Sequence, residues 1–213
     1  MHTSLAVQPS RSEPRVTRSI VIGASTGGVE ALHEVLRAMP ADCPPVFVVQ
    51  HMRPNFVDSF VAGLGRACVA AVNLAQDREV ARPGNIYVAP PGTLHLILWG
   101  THVLSTRLVA GLPLQGHRPS VDRLFQSAAA LTVPPAAALL TGMGRDGAEG
   151  LLSIRAAGGP TIAQDQASSV VYGMPRVAFE LGAAEKVLTL SKIAAHLLSA
   201  AGHAMYSNSE DLP

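Results

Sequence analysis

The chain has 213 residues, enough to bury one sizeable core. Hydrophobic residues make up 48% and charged residues 15%, the balance of a globular soluble protein. A net charge of +1 argues against a general affinity for nucleic acid or an anionic membrane, and 4% aromatic content leaves little for a base-stacking platform.

Cys43 and Cys68 are the two cysteines. They form neither a CxxC pair nor a disulfide framework, so they read as free thiols in a reducing compartment. No run nears the roughly 18 apolar residues of a membrane span. The polar start, with Pro9 and Pro14, lacks the apolar stretch of a signal peptide. The expectation is a cytoplasmic protein with no membrane insertion.

Residues 1–17 read as a disordered arm. A short β-branched run predicts a buried strand over about 18–23. Val29, Leu32, Leu36 and Met39 then mark one face of a helix over about 27–39. Pro40, Pro44 and Pro45 break the chain before a second apolar strand, Val46 to Val49, which ends at Gln50-His51. After a turn at Met52–Asn55, the residues Phe56, Phe60, Val61 and Leu64 trace a second helix, with Asn55 as a candidate cap. Ala70 to Leu74 reads as a third strand. Segments 85–89, 93–99 and 102–109 are separated by Pro90-Pro91-Gly92 and Gly100-Thr101. They resemble an antiparallel meander or hairpin with its turn at Trp99–His102.

A loop over 111–119 follows, and Ser120 caps a third helix carrying Val121, Leu124, Phe125, Ala128 and Leu131. Ala136 to Leu140 is a strand, residues 141–147 a glycine-rich turn, and Leu151 to Arg155 part of a fourth helix ended by Gly158-Gly159-Pro160. A strand over 161–163, a helix over 175–181, a last helix over 191–201 and a polar tail over 202–213 complete the chain. The expected fold is α/β, one domain over 18–201. A doubly wound, mostly parallel sheet with helices on both faces carries a small antiparallel excursion.

Gly23-Ala24-Ser25-Thr26-Gly27-Gly28 joins the first strand to the first helix. The Gly-x-Ser-x-Gly spacing fits a nucleophile elbow, in which a tight turn lifts a serine hydroxyl off the sheet. The helix N-terminus behind it offers free N–H groups to an oxyanion. The same turn also reads as plain structure, or as a phosphate or dinucleotide cradle. Two residues count against the cradle. Val29 stands where a Walker loop has lysine, and Gln50-His51 stands where a dinucleotide fold has an acid.

Ser25, His51 and Asp146 each follow an apolar strand, and parallel strands end on one edge of a doubly wound sheet. Three distant residues can therefore converge as nucleophile, base and carboxylate. A serine needs a base to take its proton, histidine titrates near neutrality, and a carboxylate fixes the imidazole tautomer. Each residue also has a plainer reading. His51 can be a satisfied polar residue, Asp146 a helix cap, and Gly142, Gly144 and Gly147 a phosphate nest. The other histidines show no metal-ligand spacing, so no metal is expected. His117-Arg118-Pro119 is a basic loop that faces either the cleft or solvent.

Six stretches are shared with one family. They are Ile22 to Gly28, Gln50-His51-Met52, Ile86 to Pro90, His117 to Asp122, Leu140 to Gly147, and Tyr172 to Pro175. Together they resemble the catalytic domain of the chemotaxis protein-glutamate methylesterases, the CheB type, over about residues 18–200. The resemblance implies hydrolysis of glutamyl methyl esters on the cytoplasmic helices of chemoreceptors, releasing methanol without a cofactor. Ser25 is then the nucleophile, His51 the general base and acid, and Asp146 the orienting carboxylate. The Met143 N–H is the oxyanion donor with Thr26 beside the nucleophile, and His117 and Arg118 are substrate-side candidates.

Typical members carry an N-terminal receiver domain, and 17 residues are too few for one. The expectation is a standalone catalytic domain, active without a gate or controlled by a separate regulatory protein. A glutamine deamidase with the same triad and a non-catalytic, nucleotide-binding signalling module are the alternatives.

Overall fold

The computed structural model describes residues 17–101 and 103–203. Most of the expected arm over 1–17 and of the tail over 202–213 lies outside those residues, as does His102. The elements run in chain order as β1 (Ile20–Ala24), α1 (Gly28–Leu36), β2 (Val46–Gln50), a 3₁₀ turn (Pro54–Phe56), α2 (Val57–Ala67), β3 (Ala71–Leu74), β4 (Asn85–Val88), β5 (Leu94–Trp99), β6 (Ser105–Ala110) and α3 (Val121–Ala129). Then come β7 (Ala136–Leu139), α4 (Ala148–Ala156), β8 (Thr161–Gln164), α5 (Met174–Glu180), β9 (Lys186–Leu188) and α6 (Leu190–Ala200).

Seven strands form one parallel sheet in the order β3-β4-β2-β1-β7-β8-β9, and β5 and β6 pair antiparallel in a separate ribbon. Parallel pairing needs crossovers, and these place helices on both faces. The central strands are accordingly apolar on both sides. In β1, Ile20 and Ile22 pack into the cluster containing Leu32, Leu36, Ile193 and Leu197. Val21 packs on the opposite face with Val121, Leu124 and Phe125. The register Gly23↔Val49 and Gly23↔Leu139 brings the ends of β2, β1 and β7 level. The chain winds outward from β1 to β2 and later returns to β7 on the other side. The crevice at that reversal is where such sheets gather ligands.

The architecture is the expected one, with four local corrections. The segment 85–89 is not part of the antiparallel excursion. As β4 it lies inside the parallel sheet between β3 and β2, and Ile86, Tyr87 and Val88 are buried on both faces. Only β5 and β6 form the ribbon. Asn55 sits within the 3₁₀ turn, so the residue before α2 is Phe56, with no side-chain cap bond. Gly147, not Asp146, precedes α4. Strand β9 is absent from the expected elements. It has three residues and two of them are exposed, too short for an apolar pattern to show.

Candidate active site

Ser25 follows β1 directly. Its N–H donates to Thr141 O (3.0 Å), and its carbonyl accepts the Gly28 N–H that opens α1 (2.8 Å). Gly27, at φ 78°, makes the turn between them. The turn is crowded from the β7 side. A Cβ on Gly142 would lie 2.7 Å from the Ser25 Cβ and 2.3 Å from the Met174 sulfur, so only glycine lets the two loops meet. The side-chain hydroxyl of Thr141 donates to Thr26 O (3.0 Å) and accepts from Val171 N–H (2.9 Å). The Ser25 side of the crevice is thus a closed weave of short turns, and Thr26 and Met143 are exposed at its rim.

His51 follows β2, and its N–H donates to Ala24 O (3.0 Å), which extends the β1–β2 ladder by one residue. Its Nε2 meets Asp146 Oδ2 at 2.9 Å. Asp146 follows β7 and is 1% exposed. It does not cap its own helix. Its Oδ1 accepts from the Ser120 hydroxyl (2.8 Å) and the Asp122 N–H (3.0 Å), and its Oδ2 accepts from the Val121 N–H (2.8 Å) as well as from His51. Burial alone would raise this acid. The donors from His51, Asp122, Val121 and Ser120 outweigh burial and hold its carboxyl below the usual aspartate range. An ionised carboxylate accepts only, so it takes the proton-bearing Nε2 of His51 and leaves the Nδ1 lone pair free. Nδ1 is buried and has no hydrogen-bond partner among the described residues. The contact between Nδ1 and the serine hydroxyl is therefore open in this conformation, as it commonly is without substrate.

His117 stacks on His51 with ring centroids 3.8 Å apart and an interplanar angle of 3°. Reciprocal backbone bonds between Leu114 and His117 (3.1 and 2.8 Å) form the turn that presents it. Burial, and then the adjacent His51, push the His117 imidazole below the usual histidine range, against the pull of Asp146. The Arg118 guanidinium donates to Gly92 O (3.1 Å) and Gly111 O (2.8 Å), which ties its loop to the ribbon. A cleft of about 300 Å³ runs along His51, Arg53, His117 and Arg118. A second, apolar cleft of about 430 Å³ adjoins it through His51 and is lined by Val29, His33, Met52, Phe56 and Phe60.

The structure thus brings Ser25, His51 and Asp146 to one sheet edge and places His117 against the imidazole. Arg118 reaches the cleft wall with two of its donors already engaged. The supporting roles of four residues escape a reading of the sequence. Gln50 and Gln164 end β2 and β8 buried, and bond to the neighbouring turns. Ser120, beyond its cap, bonds to Asp146, and the buried His95 supports the start of α3, where its Nδ1 accepts the Ser120 N–H (3.2 Å). Each is a polar residue beside an apolar run, and Gln50 and Ser120 also lie in stretches that carry the family resemblance. Gln50 also bears on the cradle reading, because its amide is turned inward onto the Ser25 and His51 carbonyls rather than toward a ribose. Among the described residues, no group of three or more His, Cys, Asp or Glu is placed to hold a metal ion. No helix there is long and apolar enough to cross a membrane.

Comparison with known proteins gives this fold a family. The family described as CheB methylesterase matches residues 20–197. A protein-glutamate methylesterase/protein-glutamine glutaminase of Caulobacter vibrioides is 51% identical over 183 residues, 85% of this chain and 53% of that protein. One from Rhizobium johnstonii is 50% identical over 197 residues, 92% of this chain and 57% of that protein. The chain spans little more than half the length of these curated relatives. The crystal structure of the Thermotoga maritima CheB methylesterase catalytic domain superposes with a TM-score of 0.82 at 35% identity, covering 86% of this chain and 98% of that one. The chain belongs to the CheB methylesterase family.

Proposed function

We propose that this domain, over residues 18–201, is a serine hydrolase that removes methyl groups from glutamate γ-methyl esters on chemoreceptor cytoplasmic helices. The observation that carries the reading is the 2.9 Å bond between His51 Nε2 and the buried Asp146 at the sheet edge where Ser25 sits. Ser25 Oγ attacks the ester carbonyl while His51 Nδ1 takes its proton. The imidazolium, stabilised by Asp146, passes that proton to the departing methoxide, and methanol leaves. Water then attacks the acyl-enzyme with His51 again as base, and serine and a glutamate carboxylate are released.

The Met143 N–H holds the oxyanion, with Thr26 beside the nucleophile; one such donor contributes about 3 kcal/mol in a well-studied protease. His117 buttresses the imidazole from one face, and Arg118 shapes the substrate side of the cleft. The chemistry needs no cofactor, and the substrate's location implies a cytoplasmic enzyme.

The relatives' names pair the methylesterase with a protein-glutamine glutaminase. The same triad deamidates glutamine if ammonia replaces methanol as the leaving group. The test is methanol release from methyl-labelled chemoreceptor. Wild-type protein releases methanol and is labelled by a serine-directed fluorophosphonate. Ser25→Ala does neither while keeping its fold. A Ser25→Ala protein that still turns over overturns the proposal. Ammonia released from unmodified receptor, with no methanol from methylated receptor, assigns the deamidase.

A further inference from the structure

Gln50 is the last residue of β2 and is 4% exposed. Its amide nitrogen donates to the carbonyls of both Ser25 (2.8 Å) and His51 (2.9 Å). One side chain therefore ties the main chain of the nucleophile to the main chain of the base. Its Oε1 is buried with no hydrogen-bond partner among the described residues. A donor placed on two carbonyls fixes which end of the amide is nitrogen, so the orphaned oxygen is not a rotamer choice. Leaving a buried acceptor unpaired is costly, and the site keeps it for the sake of the two bonds on the other end.

The neighbouring chain is shaped to admit this amide. A Cβ on Gly28 would lie 2.1 Å from Gln50 Oε1, so the second glycine of the Gly27-Gly28 pair is room for the glutamine. We infer that Gln50 is a positioning residue that sets Ser25 and His51 relative to each other. Holding the Ser25 carbonyl fixes the Ser25–Thr26 peptide plane. Because that peptide is trans, the Thr26 N–H points opposite to the carbonyl and away from the glutamine. Holding the His51 carbonyl fixes the strand end from which the imidazole reaches toward both Asp146 and the serine. Nδ1 and Oγ must close to hydrogen-bond distance in the reactive complex, and misplacement by about 1 Å costs up to about 100-fold in rate.

The inference rests on the esterase assignment above, and the test separates the two. Gln50→Met keeps the length and bulk of the side chain and removes both bonds. Gln50→Glu puts a carboxylate against two carbonyl oxygens. Kinetics are measured on methylated receptor and on a small activated ester, with Ser25 phosphonylation rates measured in parallel on folded protein. The expected result for Gln50→Met is a fall in kcat and in phosphonylation rate of about 10- to 100-fold on both substrates, with KM within about two-fold. Gln50→Glu, where it folds, falls further.

A packing role predicts instead that Gln50→Met matches the wild type, and that outcome overturns the inference. So does a rise in receptor KM with kcat unchanged, which would make Gln50 a substrate contact. Wild-type protein that resists the fluorophosphonate sinks the esterase assignment, and this inference with it. Labelled wild type with an equally reactive Gln50→Met sinks the inference alone.

Discussion

Two buried carboxylates flank the first turn of α3, and they answer the same surroundings in opposite ways. Asp146 and Asp122 are 1% and 3% exposed, so burial acts on both. Asp146 gathers four donors, and its proton affinity falls. Asp122 accepts from the Gly150 N–H (2.7 Å) and the Gln115 amide (3.1 Å). These do not offset burial and the nearby charge of Asp146, and its pKa rises to about 6. The number of donors decides which acid is ionised at neutral pH without reserve, and that acid is the one on the histidine. The two acids also affect stability with opposite sign. The lowered Asp146 contributes stability that is present above the ordinary aspartate range and lost as pH falls through its folded value. The raised Asp122 contributes most below about 4 and loses that contribution as pH rises through about 6.

The largest expected effect comes from removing the charge of Asp146. Whichever way the new amide is turned, Asp146→Asn sets an N–H₂ against a backbone N–H, and it no longer enforces the His51 tautomer. Turnover of methyl ester should fall by about 10³–10⁴-fold. The unfolding free energy should drop too, by about 1–3 kcal/mol for the orphaned donor. Equal turnover in the variant would mean that the His51–Asp146 bond is structural only.

Asp122→Asn is the matched experiment on the other side. It removes an acid whose ionisation costs stability, so the variant should gain up to about 3 kcal/mol at pH 7, from the rise of the Asp122 pKa to about 6. The gain should vanish near pH 4, and turnover should stay within about three-fold. Denaturant unfolding at the two pH values checks the sign. A loss of stability at pH 7 would place Asp122 among the acids that help the fold.

Much of this contrast cannot be read from the sequence. The β1–turn–α1 unit is legible because a β-branched run, a Gly-x-Ser-x-Gly turn and a helical apolar spacing follow one another without interruption. The convergence of Ser25, His51 and Asp146 is legible because parallel strands share an edge. Strand β4 is easily misplaced because its apolar run abuts turn signals that serve a hairpin equally well. Local pattern does not say which neighbour a strand pairs with. Asp146 is open to being read as the cap of the helix that follows it. Three of its four partners lie 24–26 residues upstream at the start of α3, and only the packing of α3 against α4 brings them near. Gln50 stands in the Gln50-His51-Met52 stretch of the family, but its role lies in two carbonyls that the sequence does not display.

Ser120 offers the smallest and most diagnostic change, because it serves both the helix and the acid. Its hydroxyl accepts the Arg123 N–H (3.3 Å) as the cap of α3 and donates to Asp146 Oδ1 (2.8 Å). Ser120→Ala removes both. Loss of the cap costs about 1 kcal/mol. Loss of one of four donors raises the Asp146 pKa, while three donors, His51 among them, remain. Stability at pH 7 should therefore fall by about 1–2 kcal/mol, less than the gain expected from Asp122→Asn. The acid-side loss of stability should be smaller and should be complete at a higher pH than in the wild type, because the folded-state pKa of Asp146 now lies closer to its unfolded value, which sets the onset in both proteins. Turnover at pH 7 should fall by less than about ten-fold. If the acid limb of the stability curve does not move, the Ser120 hydroxyl acts on the helix alone, and the low proton affinity of Asp146 is set by His51 and the two backbone donors.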